Sequence, residues 1–265
     1  MSKFSRLFIV VTFLFVAENL SAQEMRSPYN SLILSIIKEM PVGGGYDTSN
    51  STFKLLKSSM TVHDGHLVFA RENTTPSFCS ASTYQVFLRL IEKMQTEKRL
   101  SLGKDIPETL MITGQPDGSG VWGRWNANGP GTARLFHELG LGINFTDIAL
   151  AQPGDFMKAF WSDEIGVKER GHSVVFTGTK ENGAKICFWS SNLETKEQPA
   201  GMGEKCLAKE KFHRMIFSRL QSLENLNQIP KKMAANSPTY SDKYLADMLK
   251  RSSTPEEMCA EIGCR

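Results

Sequence analysis

Cys79 lies in Thr75-Pro76-Ser77-Phe78-Cys79-Ser80, just ahead of the apolar residues Val86, Phe87, Leu90, Ile91 and Met94. That i, i+3, i+4 spacing predicts a helix over Ser80 to Met94 with one buried face. Ser77 reads as its N-cap, which places Cys79 in the first turn. A thiol there feels the positive end of the helix dipole, which favours the thiolate that a nucleophile needs. Free backbone N–H groups of the same turn are suited to half of an oxyanion hole. The alternative is a small buried hydrophobe near a helix start. His172, in Gly171-His172-Ser173-Val174-Val175-Phe176, opens an apolar strand and is placed to act as a fixed general base, or else is simply a strand-edge His. A His base needs an acceptor for its second ring nitrogen. Ile186-Cys187-Phe188-Trp189-Ser190-Ser191-Asn192 lies on the next expected strand, whose alternation puts 186, 188, 190 and 192 on one face if the strand continues that far. Asn192 is preferred as that acceptor and Ser190 comes next, with a backbone carbonyl or water also open. Cys187 falls inside the strand and reads as core.

The segment Val121 to Gly131 (VWGRWNANGPG) combines aromatics, Arg and Asn in a glycine-rich stretch. Trp122, Arg124, Trp125 and Asn126 are candidates for gripping a sugar or peptide, since long loops of such content are often functional. The competing reading is a loop whose Trp residues cover the core. Gly118-Ser119-Gly120 lacks a following GK[ST] and does not make a phosphate loop. His63 and His66 lie in a turn without Cys partners, His137 falls on a helix face, and His213 sits among Lys209, Lys211 and Arg214. No metal site and no organic cofactor is expected.

The elements that would carry these residues are arranged as helices first and strands later. Helices are expected over Ser27 to Met40 (stopped by Pro41 and Gly43-Gly44-Gly45), Ser49 to Ser59, Ser80 to Met94 and Thr132 to Leu139. His66 to Phe69 reads as a short strand, and Thr113 to Gly131 as one long loop. Phe156 to Trp161, Ser173 to Thr177, Lys185 to Ser190 and Arg214 to Leu220 then read as an antiparallel meander. This order argues an α+β fold. Beyond about Leu226 the chain turns polar, with short helices expected over Tyr240 to Lys250 and Thr254 to Ile262. The latter opens with the capping box Thr254-Pro255-Glu256-Glu257.

A Cys at a helix start, a His on a strand and a polar residue on the next strand follow the order of a papain-like site. Gln152-Pro153-Gly154-Asp155-Phe156, a Pro-Gly-Asp turn feeding an apolar strand ahead of the Gly171-His172 strand, resembles the NlpC-type and CHAP cell-wall peptidases. The resemblance runs from about Pro76 to Asn192. It implies N-terminal helices packed on a small antiparallel sheet, a Cys79 nucleophile, a His172 base and an amide substrate in peptidoglycan. Phe78 stands where the NlpC pattern has Asp, and Ser162-Asp163-Glu164 looks like an insertion. Cys79 preceding His172 is the unpermuted order. Papain-like enzymes carry a Gln several residues before the Cys, and Asn73 is the candidate oxyanion donor here.

The 265 residues divide into an expected export signal (1–22), a catalytic domain (23–225) and a C-terminal helical appendage (226–265). Lys3 and Arg6, the apolar run Leu7 to Ala17 and the small pair Ser21-Ala22 have the form of a secretory signal. A run of eleven residues, apolar but for Thr12, is too short to span a bilayer, which needs roughly 20. A secreted or periplasmic protein without a transmembrane segment is therefore expected. With 31 Lys+Arg against 28 Asp+Glu the net charge is +3, which gives no nucleic-acid footprint. Five Cys leave four once a free Cys79 is set aside, and Cys187 with Cys206 and Cys259 with Cys264 is one of three pairings. Three functions follow: an exported cysteine amidase acting on peptidoglycan stem peptides, a non-catalytic glycan- or peptide-binding module, or a secreted effector amidase or deamidase acting on a foreign protein.

Overall fold

The computed structural model describes residues 26–70, 74–114, 120–165, 169–196, 198–234 and 252–264. Among these the fold is α+β, with eight α-helices, a seven-stranded antiparallel sheet and a two-stranded hairpin. The helices are α1 (Asn30–Glu39), α2 (Asn50–Ser58), α3 (Cys79–Thr96), α4 (Ile106–Thr109), α5 (Gly120–Asn126), α6 (Gly131–Leu139), α7 (Ile229–Ala234) and α8 (Pro255–Ile262). The strands are β1 (Gly43–Gly44), β2 (Met60–His63), β3 (His66–Phe69), β4 (Gly142–Phe145), β5 (Phe156–Phe160), β6 (His172–Lys180), β7 (Lys185–Asn192), β8 (Gly201–Ala208) and β9 (Arg214–Leu220). The large sheet runs β1-β8-β7-β6-β5-β9-β4, and β2 pairs with β3.

Both faces of the sheet are apolar, which is why strands such as β5 are buried at every position. Side chains alternate across a strand. Phe156, Val175 and Trp189 therefore join the helical cluster built by Ile33, Tyr84, Phe87, Trp125 and Phe136. Met157, Val174 and Phe188 join Phe145, Phe176 and Phe217 on the other face. Residues Ser80 to Leu90 of α3 are buried without a break, so α3 is a central helix rather than a one-faced surface helix. Its core is aromatic: Phe87 stacks on Trp125 at 5.0 Å, and Trp125 meets Phe156 edge-on at 5.1 Å.

The Pro-Gly-Asp turn has a structural job. Asp155 is wholly buried and accepts from Arg219 Nε at 2.9 Å and Nη2 at 2.6 Å, a bidentate pair with a wholly buried guanidinium. Its oxygens also accept from Asn30 Nδ2 and the Gln152 N–H, both at 2.8 Å. One carboxylate thus ties α1, the turn, β5 and β9 together. Gly154, at φ +98°, lies so close to Asn30 that a Cβ would fall 2.6 Å from its carbonyl oxygen.

Several expectations are corrected. Thr113 to Gly131 is not one loop, because Gly120–Asn126 forms α5. Strands β1, β2, β4 and β8 are not expected from the sequence, since each is short or carries glycine and charge in place of an apolar run, and β9 pairs with β5 instead of extending the meander past β7. The described parts of 226–265 are packed into the same body: Leu226 and Ile229 lie in the helical cluster, and Met258 and Ile262 of α8 pack with Ala133, Phe160, Ile165 and Ile216. The capping box at Thr254 and Glu257 forms with both hydrogen bonds. The helix expected over Tyr240 to Lys250 and the export signal at 1–22 lie outside the described residues. No described helix is long and apolar enough to cross a membrane.

Asp155→Ala removes the carboxylate from a buried guanidinium. We expect a loss of about 3–5 kcal/mol, the usual consequence of breaking a buried pair on one side. Urea denaturation measures it, and an unchanged midpoint would show that the pair does not hold the fold.

Candidate active site

Cys79 is the first residue of α3, and Phe78 rather than Ser77 stands at the N-cap. Ser77 does not cap because it is engaged elsewhere: its N–H donates to the Gly45 carbonyl, and its own carbonyl accepts from Asp47 and from Ser191 Oγ. No side chain caps the helix, so its first N–H groups stay directed at the space beside the thiol. Cys79 is a free cysteine, partly exposed at a cavity of about 360 Å³.

His172 enters the same cavity from the start of β6, where it lies opposite Ala159 of β5. Its Nε2 is 3.0 Å from Asn192 Oδ1. The Asn192 amide cannot be turned round, because its Nδ2 donates to the carbonyls of Ser190 (2.9 Å) and Gly203 (3.1 Å). Those carbonyls only accept, so Oδ1 faces the ring. Oδ1 also only accepts, so Nε2 carries the hydrogen. Nδ1 is then the nitrogen left to exchange a proton with Cys79. Ser190, the other candidate, is used elsewhere: its hydroxyl donates to the Ser173 carbonyl at 2.7 Å.

Burial pushes the Cys79 thiol up. The hydrogen bond with His172, the charges of His172 and Lys158, and the Ser173 N–H outweigh it and bring the pKa down to about 6. Two of the groups around the sulfur were missed in the sequence. Tyr46 forms a hydrogen bond with Cys79, and burial and the neighbouring thiolate both push the phenol up, so it stays a donor. Tyr46 follows a glycine edge that is held close to its neighbours at Gly44 and Gly201. A Cβ on Gly44 would meet Thr75 at 2.5 Å, and one on Gly201 would meet the Gly43 carbonyl at 2.1 Å. From the sequence alone the glycine run reads as a helix stop. Lys158 is buried on the helical face of β5, with Nζ 3.3 Å from Ser173 Oγ and 3.5 Å from the Ala127 carbonyl. Its burial lowers its pKa, opposed by Cys79 and Glu169. A lone Lys inside Phe-Met-Lys-Ala-Phe was the signal available for it.

The substrate-binding candidates are not brought to this site. Trp122 is 1% and Trp125 0% exposed, both part of the aromatic core. Trp125 Nε1 donates to the Ser80 carbonyl at 3.2 Å, so it fixes the first turn of α3 from within. Arg124 binds Glu138 at 2.5 Å, and Asn126 Oδ1 accepts from Ser80 Oγ. Folded as a helix, the segment turns both indoles inward, and taking that much apolar surface out of water favours the core over an exposed loop. Asn73 lies outside the described residues. Among the described residues no group of three or more His, Cys, Asp or Glu could hold a metal ion. Comparison with protein-family models, with curated proteins and with solved structures finds no match to this chain.

A depressed thiol pKa makes the reactive form more abundant as pH rises through it. Iodoacetamide should therefore alkylate Cys79 along a curve with its midpoint near pH 6, flat above about pH 7. In His172→Ala the burial contribution is no longer opposed by the imidazole, and the midpoint should move up by at least one unit. Rates read by mass spectrometry across pH 4–10 check both, and a wild-type midpoint near that of a free thiol would contradict the site.

Proposed function

We propose that this protein is an exported cysteine hydrolase of amide bonds with a papain-like arrangement of Cys79, His172 and Asn192. The observation that carries the reading is the Asn192 amide, locked by two carbonyls so that it holds His172 in one tautomer with Nδ1 left for the thiol. A strand-edge histidine of merely structural use needs no such lock.

In the proposed reaction the Cys79 thiolate attacks the amide carbonyl. The oxyanion is met by the backbone N–H of Cys79 at the uncapped start of α3 and by the Tyr46 hydroxyl. Nδ1–H of protonated His172 gives its proton to the leaving nitrogen, the C–N bond breaks and a thioester remains. Water then attacks the thioester, His172 Nδ1 takes its proton, and the Cys79 thiolate departs. All groups needed are side chains and backbone of this chain.

The peptidoglycan substrate rests on the resemblance to NlpC-type and CHAP peptidases and on the expected export signal. The disulfides Cys187–Cys206 and Cys259–Cys264, with Cys79 left free, support an oxidising compartment. The binding-module alternative leaned on Trp122 and Trp125, and both indoles are in the core. The effector reading uses the same chemistry and differs only in substrate.

Digestion of purified sacculi, followed by mass spectrometry of released fragments, tests the reading. Wild type should release new fragments and Cys79→Ala none. His172→Ala should lower turnover by about 10²–10⁴, the usual worth of a general acid-base. Cleavage by wild type and Cys79→Ala alike would overturn the mechanism. No cleavage by either would overturn the peptidoglycan substrate.

A further inference from the structure

The cavity over Cys79 has an uneven charge. Arg170 and Lys205 both line it, with Trp161, Leu193 and Leu207 as apolar wall. Trp161 and Leu193 are 41% and 66% exposed, two of the few large hydrophobics that the described surface shows. The described carboxylate lining this cavity is Glu169, which is 8% exposed and already committed. Its Oε2 accepts from the Trp161 N–H and its Oε1 from the Gly171 N–H, both at 2.9 Å. Among the described residues neither Arg170 nor Lys205 is in an ion pair. By contrast, Lys180 is paired with Glu204 and Lys185 with Glu181. Two cations that line one cavity, with its carboxylate already committed to backbone N–H groups, favour an anion there, since complementary charge sets which ligand a surface accepts.

We propose that this cavity is an anion subsite, and that the hydrolysed amide belongs to an acidic peptide carrying a free carboxylate one or two residues from the scissile bond. The carboxylate lies between Arg170 and Lys205, and its aliphatic stem lies against Trp161, Leu193 and Leu207. The inference rests on the hydrolase reading and adds the substrate's chemistry to it. Arg170 and Lys205 act as specificity residues and take no part in proton transfer.

Two small electrophiles of nearly equal size test it, because iodoacetate carries a carboxylate and iodoacetamide does not. With each, the Cys79 sulfur displaces iodide. Rates are taken at pH 8, with glutathione as the free-thiol reference. The wild-type ratio of iodoacetate to iodoacetamide rates should exceed that of glutathione by about fivefold, the worth of two exposed charge contacts. The preference should fall away in 0.5 M NaCl and in Arg170→Ala/Lys205→Ala, and persist in Lys185→Ala. A wild-type ratio equal to that of glutathione, or a preference that survives in the double variant, overturns the anion subsite. The pH profile of iodoacetamide alone reads the nucleophile, so failure of the hydrolase reading shows in that curve and failure of the subsite in the ratio.

Discussion

The site depends on how the first turn of α3 is seated on β7. Ser191 makes the seat: its N–H donates to Ser82 Oγ at 3.0 Å, and its own hydroxyl donates to the Ser77 carbonyl at 2.9 Å. All three side chains are buried, so water cannot substitute for either bond. Leaving such a buried group unpaired costs about 1–3 kcal/mol. Ser77 lies two residues before Cys79 and Ser191 one residue before Asn192. The same contacts therefore fix the distance between the Cys79 thiol and the amide that orients the His172 ring. The strand also explains the division of labour between neighbours. Asn192 holds His172, Ser191 holds the helix, and Ser190 holds β6 through the Ser173 carbonyl.

Around the sulfur, opposing effects are resolved by position. Burial alone would keep Cys79 a neutral thiol. The imidazole is joined by the Lys158 charge and by the Ser173 N–H, and Cys79 stands at the start of an eighteen-residue helix, where the dipole favours an anion. Lys158 reaches the site because its side chain shares the helix-facing side of β5 with Phe156 and Phe160, while Met157 and Ala159 take the other side. Gly171 leaves it room, since a Cβ there would lie 2.6 Å from Lys158 Cε. A buried cation without a dedicated carboxylate is an unfavourable element of a core, and a thiolate nearby offsets part of that penalty.

The sequence was informative where chemistry follows from local periodicity. The i, i+3, i+4 stripe located α3 and put Cys79 at its start, and the apolar alternation located the His172 and Asn192 strands. What it could not carry was which side of an element meets what. VWGRWN looks like a ligand loop by composition, yet its indoles enter the core because α5 is wedged between α3 and α6. Ser77 has the right residue type for a cap, but tertiary hydrogen bonds claimed its backbone. Tyr46 lies 33 positions from Cys79 and Lys158 lies 79, and no local rule connects such distances. The glycines that deliver Tyr46 read as punctuation until the atoms they admit are known.

The strand that sequence patterning missed, β8, completes the logic of the site. Its Gly203 carbonyl is one of the two acceptors that lock the Asn192 amide, and Lys205 and Leu207 on the same strand face the cavity. β8 is tied to β7 by register from Lys185–Ala208 to Asn192–Gly201 and by the Cys187–Cys206 disulfide. On its other side it pairs with Gly43 and Gly44, and the residue two beyond Gly44 is Tyr46. One short glycine edge therefore supports both ends of the constellation. Through β8 it helps to hold the Asn192 amide against His172, and through Tyr46 it places a donor beside the Cys79 thiol. A Cβ at Gly201 would run into the Gly43 carbonyl and one at Gly44 into the Thr75 side chain, so the positions of Tyr46 and of the Asn192 lock both depend on these glycines having no side chain.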